Sequence, residues 1–318
     1  MKQHRFEALH QSTWQQIEES LAQPTQGDNS KILAEHYMVL CQHLAIAKER
    51  LYDNALVERL NNLVLALYRE LYRYRSETRL NIYAFFKRDF PVAIYRHRYF
   101  VLLAFLVFVL PGLIAGTWTY LDEDAVYSVL DGPQVRQVER MYDPAARKIG
   151  REREAETDIF MFGFYIKNNI SVAFRCFAGG MLIGIGTLLV LFFNGMFIGS
   201  IAGHLTRLDY VDTFYPFVVG HSSFELTAIV FSGAAGLRLG YAILNPGQLT
   251  RLNSLRAAGR EVIPMLYGIV LMLVIAAFLE AFWSSSASLS IEIKYAVAAL
   301  LWTLVLLYSF SGRRYESR

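Results

Sequence analysis

The sequence predicts an all-α fold: a polytopic bundle of about six transmembrane helices, one of them short, behind an N-terminal cytoplasmic helical domain. Three observations predict it. The 318 residues are 54% hydrophobic and only 19% charged, against about 25% charged in soluble domains. The apolar excess is uneven: residues 1–98 are charged and helical in pattern, and long uncharged runs begin at Tyr99. Those runs approach the roughly 20 residues that a helix needs to cross a hydrocarbon core. Such composition excludes a disordered chain. With only Cys41 and Cys176, it also excludes a disulfide-stapled module.

The N-terminal domain, 1–80, reads as a small helical bundle. Leu33, Tyr37, Leu40, Leu44, Ala47 and Leu51 recur at steps of three and four, as do Leu56, Leu60, Leu63 and Leu67. Each set is one apolar stripe. Asp53 and Asn54 give a polar break with capping character between two antiparallel helices. A shorter helix over 6–21 precedes them, ended by a linker at 24–27. Residues 81–98 set Phe85, Phe86, Phe90 and Tyr95 among basic residues, which predicts a juxtamembrane amphipathic helix at the membrane surface.

The transmembrane domain is expected over 99–312, followed by a cytoplasmic tail at 313–318. Its first span starts at Tyr99 and is too far from the start to be a cleaved signal. The second is read over 172–193. Asn194 and Gly195 then form a tight turn into a short span, 195–205. The stretch 214–244 carries His221, Glu225 and Arg238, and two further uncharged runs cover 262–279 and 295–312. The basic flanks at 69–98, 251–260 and 313–318 place both termini in the cytoplasm. The stretches 122–167 and 284–290 are then outer loops.

Polar groups inside spans are costly, so each asks for a reason. His221 and Glu225 stand four apart on one helix face. They can form a hydrogen-bonded pair, a proton relay or part of a metal site. A metal site needs three or four ligands. The only other histidine in this half is His204, no HExxH occurs, and no metal is expected. Glu225, inside this long apolar stretch, is expected near mid-membrane, within hydrogen-bond reach of His221, Asn194 or a backbone group. Glu280, Asn168 and Asn169 complete the candidate polar site. Arg175 and Arg238 are read as snorkelling near span ends.

Gly112 and Gly116 form a GxxxG. So do Gly180 and Gly184, the run Gly195, Gly199 and Gly203, and the pair Gly236 and Gly240. This spacing lets helix backbones approach closely, within a bundle or in a homodimer. There is no GxxxxGK[ST], GxSxG or CxxC, so neither an enzyme nor a cofactor is predicted. No nucleic-acid signature is present.

Four segments resemble the SpoIIM (stage II sporulation protein M) family over roughly residues 90–312. They are FYIKNNISVAF at 164–174, GGMLIGIGTLLVLFFNGMFIG at 179–199, GHSSFELTAIVFSGAAGLRLGYAILNPG at 220–247 and AAFLEAFWSSS at 276–286. The first matches the family's Asn-Asn element. The last carries its closing Glu, here Glu280. Where the family often has Pro-His-Gly, this chain has Gly220, His221 and Ser222. The resemblance implies an integral inner-membrane protein. It also implies partners of the MoxR-type AAA+ ATPase and von Willebrand factor A classes, in a multi-protein assembly. Two functions follow: a non-enzymatic membrane scaffold, or a transporter using a polar site around His221 and Glu225. A water-accessible midplane path would favour transport, and a dry glycine-packed core would favour the scaffold.

Overall fold

The computed structural model describes residues 2–22, 30–76, 82–145, 155–286 and 289–316. Among them every regular element is helical. The chain forms two compact units, Met1–Asn81 and Ile82–Arg318. The linker predicted at 24–27 lies outside the described residues, as does the middle of the loop 284–290.

The first unit is three helices: α1 (Gln3–Ala22), α2 (Ser30–Glu49) and α3 (Asn54–Ser76). The stripes meet in a core of Phe6, Trp14, Ile17, Leu40, Leu60 and Leu67. Trp14 would bury an unpaired indole N–H there. It donates instead to His43 Nδ1 at 3.1 Å, as buried Trp usually does. Arg59 closes the edge, with its guanidinium 5.6 Å from the Trp14 ring centre and its Nε 3.0 Å from Glu18.

The second unit opens with a short turn, α4 (Ile82–Ala84), a π-helical turn over Phe85–Asp89, and α5 (Phe90–Arg96). The aromatic side of this segment packs on the rest of the unit. Phe90 is 2% exposed and fills the space left by Gly268. Aromatic surface in a helix flank finds more contact in a helical groove than at an interface. The basic groups Lys87, Arg88 and Arg96 follow on the rest of the segment.

Six long helices follow: α6 (Arg98–Leu121), α8 (Ala155–Ala178), α9 (Ile185–Arg207), α11 (Ser222–Leu244), α12 (Arg251–Phe278) and α13 (Ile291–Ser311). Between them lie α7 (Gly132–Tyr142) and α10 (Val211–Val218), and α14 (Arg313–Glu316) ends the described chain. All six long ones but α8 are long and apolar enough to cross a membrane.

Their directions follow from glycine contacts. A Cβ on Gly112 would stand 2.9 Å from Gly195 O, and one on Gly116 3.0 Å from Gly199 O. Both numbers advance together, so α6 and α9 are parallel. The chain must therefore return between them, and α8 does so. At about 1.5 Å per residue its 24 residues span about 36 Å. Thr187 Oγ1 donates to Cys176 O at 2.7 Å, closing the α8–α9 hairpin. Ser232 Oγ donates to Ala173 O at 2.5 Å, and Gly236 packs on Cys176 and Phe177, so α11 runs parallel to α8. Arg238 Nη2 lies 2.9 Å from Glu261, pairing antiparallel α11 and α12. The bundle thus traverses its own depth six times. Residues 82–96 and α14 share one face, where Gly312 packs on Pro91. This is the terminal face, and its opposite is the distal face.

Several expectations are corrected here. The apolar run 172–193, which Arg175 interrupts, is not one helix. The chain reverses at 179–184, where Ile183 and Gly184 both have positive φ, 57° and 84°. Asn194 and Gly195 lie inside α9, not in a turn. The third traverse is therefore a full helix, and the segment read as a loop over 122–167 ends at Ala155, where α8 begins. Arg175 consequently lies near the terminal end of its helix, with Nε on Ser171 O at 3.3 Å. Arg238 is ion-paired rather than snorkelling. The GxxxG pairs are occupied within the chain, Gly112 and Gly116 by Gly195, Gly199 and Gly203, and Gly180 and Gly184 by Gly236 and Gly240.

The distal cap is a 3-10 turn, Asp124–Ser128, with α7 and α10. Asp131 and Gln134 form a complete capping box at the start of α7. Arg207 to Glu123 at 2.7 Å and His204 to Glu139 at 2.9 Å tie the cap to α9.

Helix α13 has a distinct role. Wherever another helix is irregular, a backbone carbonyl loses its partner, and lipid cannot supply one. Lys294 Nζ donates to Ser284 O at 2.9 Å, Trp302 Nε1 to Val219 O at 3.1 Å, and Tyr308 OH to Phe86 O at 2.7 Å. Three side chains of one helix thus satisfy the second π-helical turn, the α10–α11 break and the first π-helical turn.

Candidate polar site

The stretch 214–244 breaks after α10, at 219–221, and restarts at Ser222. His221 is the N-cap of α11 and Glu225 sits in its first turn. Glu225 is thus near the distal end rather than at mid-membrane. From the other side, α12 continues into a π-helical turn, Leu279–Ser284, which carries Glu280. π-turns inside helices recur at functional sites because they re-aim side chains. Here the turn brings Glu280 to His221 and Glu225. One ligand atom from each of the three lies within 4.8 Å of the other two.

His221 is 5% exposed. Its Nδ1 is 3.1 Å from Ser284 Oγ, and its Nε2 is 3.9 Å from Glu225 Oε2. The second distance is in ion-pair range but wider than the hydrogen bond expected for Glu225. Phe217 stands edge-on to the imidazole at 5.7 Å between ring centres. Tyr142 of α7 packs edge-on against Phe214 and Phe217, and its backbone O accepts from Thr213 Oγ1 at 2.5 Å, which ties α7 to α10. Burial first, and then the charges of Glu280, Tyr165 and Glu225, push the Tyr142 phenol above its usual range. The phenol therefore stays protonated beside the carboxylates.

The other predicted polar residues are placed elsewhere. Asn194 Nδ2 donates to Val190 O at 2.7 Å, a bond internal to α9. Asn168 Nδ2 donates to Asn169 Oδ1 at 3.2 Å on α8. Asn169 is 2% exposed, and its Nδ2 has no partner among the described residues. Ser284, Tyr142 and Lys294 escaped the sequence reading. For Ser284 the signal was present, since it stands four residues after Glu280.

The family profile of stage II sporulation protein M matches residues 104–285, more than half of the chain. The chain belongs to the SpoIIM family. The matched region contains the whole His221, Glu225 and Glu280 cluster. A second profile, a domain of unknown function (DUF8413), matches residues 4–73, which is the three-helix unit. An uncharacterized protein of Methanocaldococcus jannaschii is 28% identical over 85 residues, 26% of this chain and 48% of that protein. The chain thus spans about half the length of this curated relative. No solved structure matches.

Proposed function

We propose that this SpoIIM-family membrane protein is a non-enzymatic scaffold, anchoring a multi-protein envelope assembly in the cell's inner membrane. The observation that carries this reading is the backbone packing of α6, α8, α9 and α11. A Cβ on Gly199 would strike the Gly112 carbonyl, and one on Gly180 the Gly236 carbonyl. Helices in such backbone contact resist sliding. A transporter that works by rocking one bundle against another needs the opposite.

Orientation follows the charges. Lys87, Arg88, Arg96, Arg98, Arg251, Arg256, Arg260, Arg313 and Arg314 flank the terminal face, whereas Asp122, Glu123, Asp124 and Asp131 begin the distal cap. The positive-inside rule puts the terminal face, and with it both termini, in the cytoplasm. The three-helix unit is then available to cytosolic partners of the MoxR-type AAA+ ATPase and von Willebrand factor A classes.

Co-expression with a MoxR-type AAA+ ATPase and a von Willebrand factor A protein from the same organism, followed by purification in detergent, tests this. Stable co-purification is expected, and replacing exposed Glu49 and Glu58 of the three-helix unit with Lys is expected to weaken it. Absence of any complex with either protein class contradicts the partner assignment. The second reading, transport through the cluster, is favoured by the three titratable groups at the α10–α11 break, and a flux measurement separates the two.

A further inference from the structure

We propose that His221, Glu225 and Glu280 form a binding site for one divalent first-row transition cation, with Zn2+ as the reference probe. This goes beyond the scaffold reading and does not depend on it.

Four observations converge. The three ligand atoms lie within 4.8 Å of one another. Donors around a tetrahedral Zn2+ at about 2.0–2.2 Å stand about 3.4 Å apart, so closure needs about 1 Å of side-chain movement. The imidazole is already oriented. Metal-binding histidines engage their other ring nitrogen with a polar partner. Here Nδ1 faces Ser284 Oγ at 3.1 Å, which leaves Nε2 toward Glu225 at 3.9 Å. The charge also fits. Two carboxylates crowded into a poorly solvated site repel each other, and protonation or nearby positive charge relieves the repulsion. A divalent cation with two carboxylates and a neutral imidazole is electrically neutral. Finally, one nitrogen and two carboxylate donors suit Zn2+ and its neighbours, whereas Mg2+ and Ca2+ prefer all-oxygen shells.

The donors come from two irregularities of the fold. His221 closes the α10–α11 break and Glu280 sits in the π-turn after α12. A bound cation would tie these elements together at the distal end.

The test uses the full chain in detergent, without a histidine tag, stripped by chelator and equilibrated with Zn2+. Bound zinc is measured by mass spectrometry. The unaltered chain is expected to hold about one zinc more than the double variant Glu225→Gln/Glu280→Gln, since amides bind Zn2+ far more weakly than carboxylates. The rings of His10 and His43 lie 4.0 Å apart, centre to centre, in the other unit. Zinc held there persists in both proteins, so the difference is the readout. Equal zinc in the two proteins overturns the proposal. Should the amide variant fail to fold, Glu280→Asp keeps the charge and withdraws the carboxylate by one methylene. It is expected to weaken zinc binding at least about tenfold, and unchanged affinity overturns the site. Zinc is also expected to raise the melting temperature of the unaltered chain more than that of Glu280→Asp.

Discussion

At the scale of the residue, the glycines of this bundle divide by what a methyl group would meet. Gly199 faces the Gly112 backbone, and no side-chain rotation relieves a clash with a carbonyl. Gly259, inside α12, has nothing within 4 Å of a Cβ. Gly199→Ala is therefore expected to destabilise by about 1–3 kcal/mol through overpacking. Gly259→Ala is expected to be neutral or to stabilise by up to about 1 kcal/mol. Thermal melting in detergent checks both, and equal melting temperatures would refute the tight α6–α9 contact. The spacing of these glycines was legible in the sequence. Which pair meets which was not, because GxxxG specifies close approach without naming the neighbour.

His43 supplies a pH dependence. Burial, and then the nearby His10, lower its pKa below the usual 6.5. The unfolded chain thus binds a proton more readily than the folded one. The stability of the neutral form is complete above the unfolded pKa and is lost as pH falls through the folded one. The three-helix unit is expected to melt at lower temperature at pH 5 than at pH 7.5, with a shallower dependence in His43→Gln. A melting temperature that does not fall on acidification rules this out.

At the scale of the element, α2 and α3 were readable because each shows an apolar stripe, with polar punctuation between them. The α8–α9 hairpin was not. Hydropathy averages over the reversal at 179–184, which is made of apolar residues and glycine. Helix α8 was obscured by Lys167, Asn168, Asn169 and Arg175, whose polarity resembles a loop. The break at 219–221 is equally silent, since Val219 and Gly220 are apolar or small, and what makes it tolerable is on another helix. Trp302 donates to Val219 O, 83 residues away in sequence. Trp302→Phe keeps most of the packing and removes the donor. It is expected to cost about 1–3 kcal/mol, the penalty of a buried unpaired carbonyl. An unchanged melting temperature would show that the carbonyl has another partner. Glu280 joined the cluster for the same reason that the break was missed. A contact across 55 residues leaves no local periodicity.

At the scale of the whole molecule, the six traverses place α7 and α10 opposite residues 82–96 and α14. Tyr127, exposed in the distal cap, is a reporter for this. In a background lacking Cys41 and Cys176, Tyr127→Cys is expected to react with an impermeant maleimide added to intact cells. Labelling only after lysis would invert the orientation argued from the basic flanks. The fold class was legible at this scale, because hydropathy and charge are bulk properties of segments. The polar site was legible only as residue types. His221, Glu225 and Glu280 meet, whereas Asn194, Asn168 and Asn169 make their bonds within α9 and α8.

The scaffold reading stands or falls on whether the bundle conducts. The direct measurement is proton flux into vesicles containing the purified chain, driven by a potassium diffusion potential and read with an internal pH-sensitive dye. A glycine-locked bundle predicts flux equal to that of protein-free vesicles, unchanged by Glu225→Gln. Flux above that baseline which Glu225→Gln abolishes, with the fold intact, would contradict the scaffold and assign the cluster to transport.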